Sequence, residues 1–126
     1  MKPQPKVNKP QELYEAMLAD DMTKALFLLP SVDLTVKSNE GKTFPMLAAE
    51  NNNVPLLLAM IKQDTFDASI RDGIDRTLLM YACGYGLTEV ILPIAKAEGS
   101  ELDAVDWHGY TATMYAVYGG HTDAVS

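Results

Sequence analysis

From residue 11 onward the apolar positions come in short bursts at helical spacing, separated by polar turns. Leu13, Met17 and Leu18 share one helical stripe, which predicts a helix from Gln11. Asp20 and Asp21 interrupt it, and Met22 to Leu29 reads as a second helix stopped by Pro30. After a turn at Ser38–Gly41, a short helix is predicted from Thr43 to about Glu50, followed by the polar turn Asn51–Asn53. Pro55 falls in the first turn of the next helix, where its missing N–H costs nothing. Leu56 to Ile61 is apolar nearly all round, so both sides of that helix should be covered. A long loop leads to a third pair, Thr77 to Cys83 and Glu89 to Ala97. Within it, Pro93 predicts a kink or a tightened start. A last helix runs from Thr111 to Val117, then a turn at Tyr118–Thr122.

The bursts repeat. Lys42–Ala49 (KTFPMLAA) returns as Arg76–Cys83 (RTLLMYAC) and Tyr110–Val117 (YTATMYAV), each 34 residues after the last. The same interval relates Met46, Met80 and Met114; Ala48, Ala82 and Ala116; Asp33, Asp67 and Glu101; and Asn52, Gly86 and Gly120. A period of this length means stacked supersecondary units, none of which buries its apolar face alone. The units are bounded at about 11–37, 38–71, 72–105 and 106–126, the last incomplete, behind an extended lead-in at 1–10 that is rich in proline and lysine.

With the units aligned, the chain resembles the ankyrin repeat family. The resemblance rests on Asp106, Gly109, Thr111, Ala116 and Gly120-His121; on Asp72, Thr77, Ala82, Gly86 and Val90-Ile91-Leu92; and on Gly41, Thr43, Ala48-Ala49 and Leu56-Leu57-Leu58. It implies an all-α, ankyrin-type helix-turn-helix solenoid of about four repeats with short β-hairpin-like turns. Thr at a helix start caps free N–H groups, and small Ala residues let helices approach. Gly41, Gly86, Gly109 and Gly120 suit positive φ, with Asn52 and Asp75 the non-glycine residues that tolerate it best. One departure is consistent: where the family has Thr-Pro-Leu-His, this chain has Met46, Met80 and Met114 in the His slot. The family's His ties turns together, a task these methionines are not expected to perform; they should pack softly instead.

Composition narrows the function. A net charge of −7 argues against a nucleic-acid groove or an anionic membrane surface, which demand a basic face. No stretch approaches the ~18 apolar residues of a membrane helix, and the N-terminus lacks the apolar run of a secretory signal. The expectation is a soluble, cytoplasmic protein. Cys83, the single cysteine, permits no internal disulfide and sits in the small slot of Ala49 and Val117, an inert core thiol. The Met column would be spaced by about 10 Å, too far to share a metal ion. His121 matches the family's turn His and reads as structural. Acid pairs such as Asp20-Asp21 and Asp72/Asp75 read as solvated caps. No catalytic constellation, metal set or cofactor site can be assembled, so no enzyme and no cofactor are expected.

What remains is surface. By the resemblance, residues flanking each Asp-x-x-Gly turn and those just after Ala-Ala form a concave face. Its candidate contact residues are Glu40 and Lys42; Arg71, Ile74, Arg76 and Tyr85; and Trp107, His108, Tyr110 and Tyr118. The last row concentrates the single Trp and two of the six Tyr, and aromatics dominate binding hot spots. The expected function is a non-enzymatic module that binds a partner protein through this face and the turn tips. The alternative is the N-terminal portion of a longer array, or an oligomer subunit self-associating through the uncapped C-terminal repeat.

Overall fold

The computed structural model describes residues 9–119. It contains α1 (Lys9–Leu18), α2 (Met22–Leu28), a 3₁₀ turn (Leu29–Ser31), α3 (Phe44–Glu50), α4 (Val54–Ile61), α5 (Leu78–Gly84), α6 (Thr88–Lys96) and α7 (Ala112–Tyr118). Helix α1 starts earlier than expected. Lys9 and Pro10, assigned to the extended lead-in, belong to the helix instead, because a proline in the first turn forfeits no intrahelical bond. Helix α2 stops at Leu28, and Pro30 lies in the 3₁₀ turn that follows. Helix α6 runs on through Pro93 to Lys96.

Consecutive helices pair as α1 with α2, α3 with α4 and α5 with α6. Side by side, α3, α5 and α7 form one row, and α2, α4 and α6 the other. The core lies between the rows. Ala48, Ala82 and Ala116 are fully buried where the first row packs, and Leu56, Leu57, Met60, Val90 and Ile94 fill the space from the second. Each apolar face is thus covered by neighbouring units as well as by its own hairpin partner, as a stacked architecture requires.

The threonine-led helices are capped as their sequence predicts. The Oγ1 of Thr43, Thr77 and Thr111 accepts from the amides of Met46 (3.5 Å), Met80 (3.2 Å) and Met114 (3.2 Å). Two of the methionines also bond back within their own caps, beyond the soft packing expected of them. The Sδ of Met46 accepts the Thr43 N–H at 3.5 Å, and Met80 Sδ accepts that of Thr77 at 3.4 Å. Sulfur's reach lets a thioether take the place of the usual Glu or Gln in a reciprocal capping box. Met80→Leu keeps the volume but strands the buried Thr77 N–H, so it should cost about 1 kcal/mol in urea unfolding. Met114→Leu should cost less, since Met114 is 39% exposed against 1% for Met80.

That exposure departs from the expected buried column. Met46 and Ala49, and their counterparts Met80 and Cys83, are covered, whereas Met114 and Val117 open on the far side of α7.

The connections between pairs are tight hairpin-like tips. Each is closed by a backbone bond of the same register: Ser38 N to Lys42 O (2.9 Å), Asp72 N to Arg76 O (2.9 Å) and Asp106 N to Tyr110 O (3.1 Å). The fourth residue of each tip has positive φ: Gly41 at 79°, Asp75 at 70° and Gly109 at 77°. Asp75 tolerates the slot, and its carboxylate receives Arg71 Nη1 at 3.0 Å. Neighbouring tips are also joined. Gly73 N donates to Glu40 O (3.2 Å), and 34 residues on Trp107 N donates to Ile74 O (3.0 Å). A Cβ on Gly73 would lie 2.7 Å from Glu40 O, so a side chain there would have to shift this tip locally, although Trp107 makes the equivalent bond with one.

Candidate functional site

Asp72 shows how a tip is held. Its Oδ1 accepts from the amides of Ile74 (3.1 Å) and Arg76 (2.8 Å), and its Oδ2 from Arg76 Nε (2.7 Å) and the Tyr81 hydroxyl (2.5 Å). The side chain is almost wholly enclosed. It is therefore not the solvated cap expected of it. Burial pushes its carboxyl up, but the Tyr81 hydroxyl, the Arg76 amide and guanidinium, and the Ile74 amide together hold it below the ordinary carboxylate range.

Asp106 repeats the device. Its Oδ1 takes the amides of His108 (2.8 Å) and Tyr110 (3.0 Å), and its Oδ2 takes the Tyr115 hydroxyl. In the first tip Ser38 Oγ accepts from Glu40 N and Lys42 N, both at 3.3 Å, and Leu47 stands where the tyrosine would be.

The tyrosines register the same bonds. Burial raises the Tyr115 hydroxyl, and donation to Asp106 raises it further, to about 12. Because the folded value is raised, this bond's contribution is complete below the ordinary tyrosine value near 10 and drains as pH rises through about 12. Tyr115→Phe should therefore delete a late phase, near pH 12, from the alkaline absorbance titration. Tyr81 is raised too, through burial and then through Asp72.

The charged candidates are engaged within the chain. Lys42 Nζ binds Glu50 at 2.6 Å and Glu40 at 3.1 Å. Arg71 bridges to the next tip through Glu101 (2.6 Å) and Val105 O (3.3 Å). Arg76 holds Asp72, reaches the Tyr81 hydroxyl at 3.1 Å and lies 4.8 Å from the centre of that ring. Glu40 is solvent-exposed and Ile74 half-buried.

The aromatic candidates face water. Trp107 is 73% exposed although its amide is fixed, Tyr118 69% and Tyr85 50%. Around Tyr110 a cluster assembles: His108 at 5.8 Å, Tyr118 at 5.4 Å and Tyr115 at 5.9 Å between ring centres. Such a surface supplies a large contact area with polar tips.

A family model described as ankyrin repeats (3 copies) matches residues 13–106 and, again, 46–126. The chain belongs to the ankyrin repeat family. Ankyrin repeats are generally protein–protein interaction modules, and the family is typically non-enzymatic. Comparison with curated proteins returns no match. In this ankyrin chain no group of acidic, His or Cys side chains among the described residues could hold a metal ion, and none of its described helices is long and apolar enough to cross a membrane. Cys83 is buried, and desolvation pushes its thiol up, away from the reactive thiolate. His121 and Gly120 lie outside the described residues.

Proposed function

We propose that this ankyrin chain binds a partner protein through its concave face and turn tips, with the Trp107–His108–Tyr110–Tyr118 row as the principal contact. The observation that carries this is the exposure of Trp107 on a tip whose backbone is bonded to its neighbour. An aromatic on a fixed backbone has only its two side-chain torsions to order on docking, which favours it as an anchor. Lys42, Arg71 and Arg76 act mainly by fixing the shape of the face, since each is already paired. The test is a titration of a purified partner, first recovered with the wild-type chain, against the Trp107→Ala/Tyr110→Ala variant. Affinity equal to wild type sinks the assigned face.

A second reading has its own observation. Met114 and Val117 are exposed where their counterparts are covered, and apolar patches of that kind mark interfaces. This supports contact with a further repeat or a second copy through the α7 side. Sedimentation equilibrium tests the second copy: concentration-dependent mass supports it, and a monomer at high concentration removes it.

A further inference from the structure

Three pairs of equivalent positions line the face at successive 34-residue steps: 42 with 50, 76 with 84, and 110 with 118. The first is filled by the Lys42–Glu50 ion pair at 2.6 Å, the third by the Tyr110–Tyr118 ring contact at 5.4 Å. At the middle step Arg76 faces a residue without a side chain, Gly84. A hollow of about 210 Å³ results, lined by Arg76, Met80, Tyr81, Gly84, Tyr85 and Tyr115. It has room for about seven waters at ~30 Å³ each and falls below the ~300 Å³ where small-ligand sites begin. Its size suits one side chain.

The surrounding charge selects which. Ring faces carry negative potential, and the Tyr81 and Tyr115 hydroxyls behind this wall donate to the carboxylates of Asp72 and Asp106. Arg76, the cation in the wall, is matched by Asp72 at 2.7 Å. At the equivalent step one repeat earlier, Lys42 is outnumbered by Glu40 and Glu50, and Glu50 acts on Tyr81 of the wall. The excess around the hollow is negative, on a chain of net charge −7. A guanidinium already stacks on one of these tyrosines, Arg76 over Tyr81 at 4.8 Å. An untethered carboxylate would meet Arg76 already bonded to Asp72 and the carboxylate excess against it, a cost offset only for a side chain fixed in the chain, as Glu50 is beside Lys42.

Building on the proposed partner-binding face, we infer that the Gly84 notch receives an arginine side chain of the partner protein, its stem against Met80 and its guanidinium against Tyr85 and Tyr115. Arginine suits the slot better than lysine because its flat, weakly hydrated head stacks on aromatic faces.

The test is an NMR titration of the whole chain with acetyl-Gly-Arg-Gly-amide, beside the Lys, Leu and Glu versions of the same peptide. The arginine peptide should saturably shift the Gly84 and Tyr85 amides and the Tyr115 ring signals, binding roughly fivefold tighter than the leucine peptide. Gly84→Glu should abolish those shifts, because it gives Arg76 the partner that Glu50 gives Lys42 and fills the gap. A Cβ there meets Tyr115 Cδ1 at 3.3 Å, so the ring needs to yield only by tenths of an ångström. Retained helicity and amide dispersion separate filling from unfolding. Equal binding by the leucine peptide, tighter binding by the glutamate peptide, or no saturable shift by about 50 mM arginine peptide overturns the inference. Arginine-peptide shifts that survive in a folded Gly84→Glu chain overturn it as well. The two proposals fail separately. A partner weakened by Trp107→Ala/Tyr110→Ala but indifferent to Gly84→Glu removes the notch and keeps the face.

Discussion

Asp72→Ala should remove about 3 kcal/mol of unfolding free energy, seen as a lowered urea midpoint with little change in slope. The substitution strands four donors at once: the Tyr81 hydroxyl, the Arg76 guanidinium and the tip amides of Ile74 and Arg76. Stranding buried polar groups costs more than their bonds contribute. Asp72→Asn should lose about half as much, since the amide oxygen still accepts at the tip while the charge opposite Arg76 is gone. In acid the two variants should behave alike, since both lack the Asp72 carboxyl. Asp72 and Asp106 both sit below the ordinary carboxylate value, so near pH 4 the folded chain binds fewer protons than the unfolded one. Their contribution is complete above that range and is lost as pH falls through the depressed values. Asp72→Asn should flatten this acid limb. Asp33 and Asp67, lowered by the hydroxyls and amides of Thr35 and Ser69, keep the flattening partial. A loss under 1 kcal/mol for Asp72→Ala would mean the tip is held by its backbone alone.

Trp107→Ala combined with Tyr110→Ala should weaken partner binding by about 2–4 kcal/mol, roughly 30- to 1,000-fold in Kd. The effect should fall on dissociation more than association, because neither residue is charged and steering is unchanged. Stability should move by no more than about 1 kcal/mol, since Trp107 is largely in water and Tyr110 contributes edge contacts with Tyr115 and Tyr118. Isothermal titration against the purified partner measures the first quantity and thermal unfolding the second. Calorimetric affinity within threefold of wild type would move the contact surface elsewhere on the solenoid.

The stacking was readable from the chain because it is written in residue types with few uses: a threonine before each short helix, alanines where helices touch, and glycine, asparagine or aspartate at positive φ. Element ends were less so. Pro10 looks like a lead-in residue yet is equally at home in a first helical turn. The sulfur bonds of Met46 and Met80 escaped because a thioether is read first as packing, and only the Thr43 and Thr77 geometry brings it within reach of an amide. For the Asp–Tyr pairs a signal did exist. Asp72 with Tyr81 and Asp106 with Tyr115 recur together nine residues apart, while Ser38 and Leu47 replace both members at once. Such joint change marks a contact. The pairing of Lys42 with Glu50 and of Arg71 with Glu101 was hidden, since sequence alone does not say which carboxylate a stacked lysine or arginine will meet.

The bonds from Gly73 to Glu40 and from Trp107 to Ile74 turn separate tips into a strip. A push on Trp107 is passed through Ile74 and Gly73 to Glu40, much as a ratchet tooth is backed by the tooth before it. Bending one tip by itself would break its bond to the next, at about 1 kcal/mol for each junction.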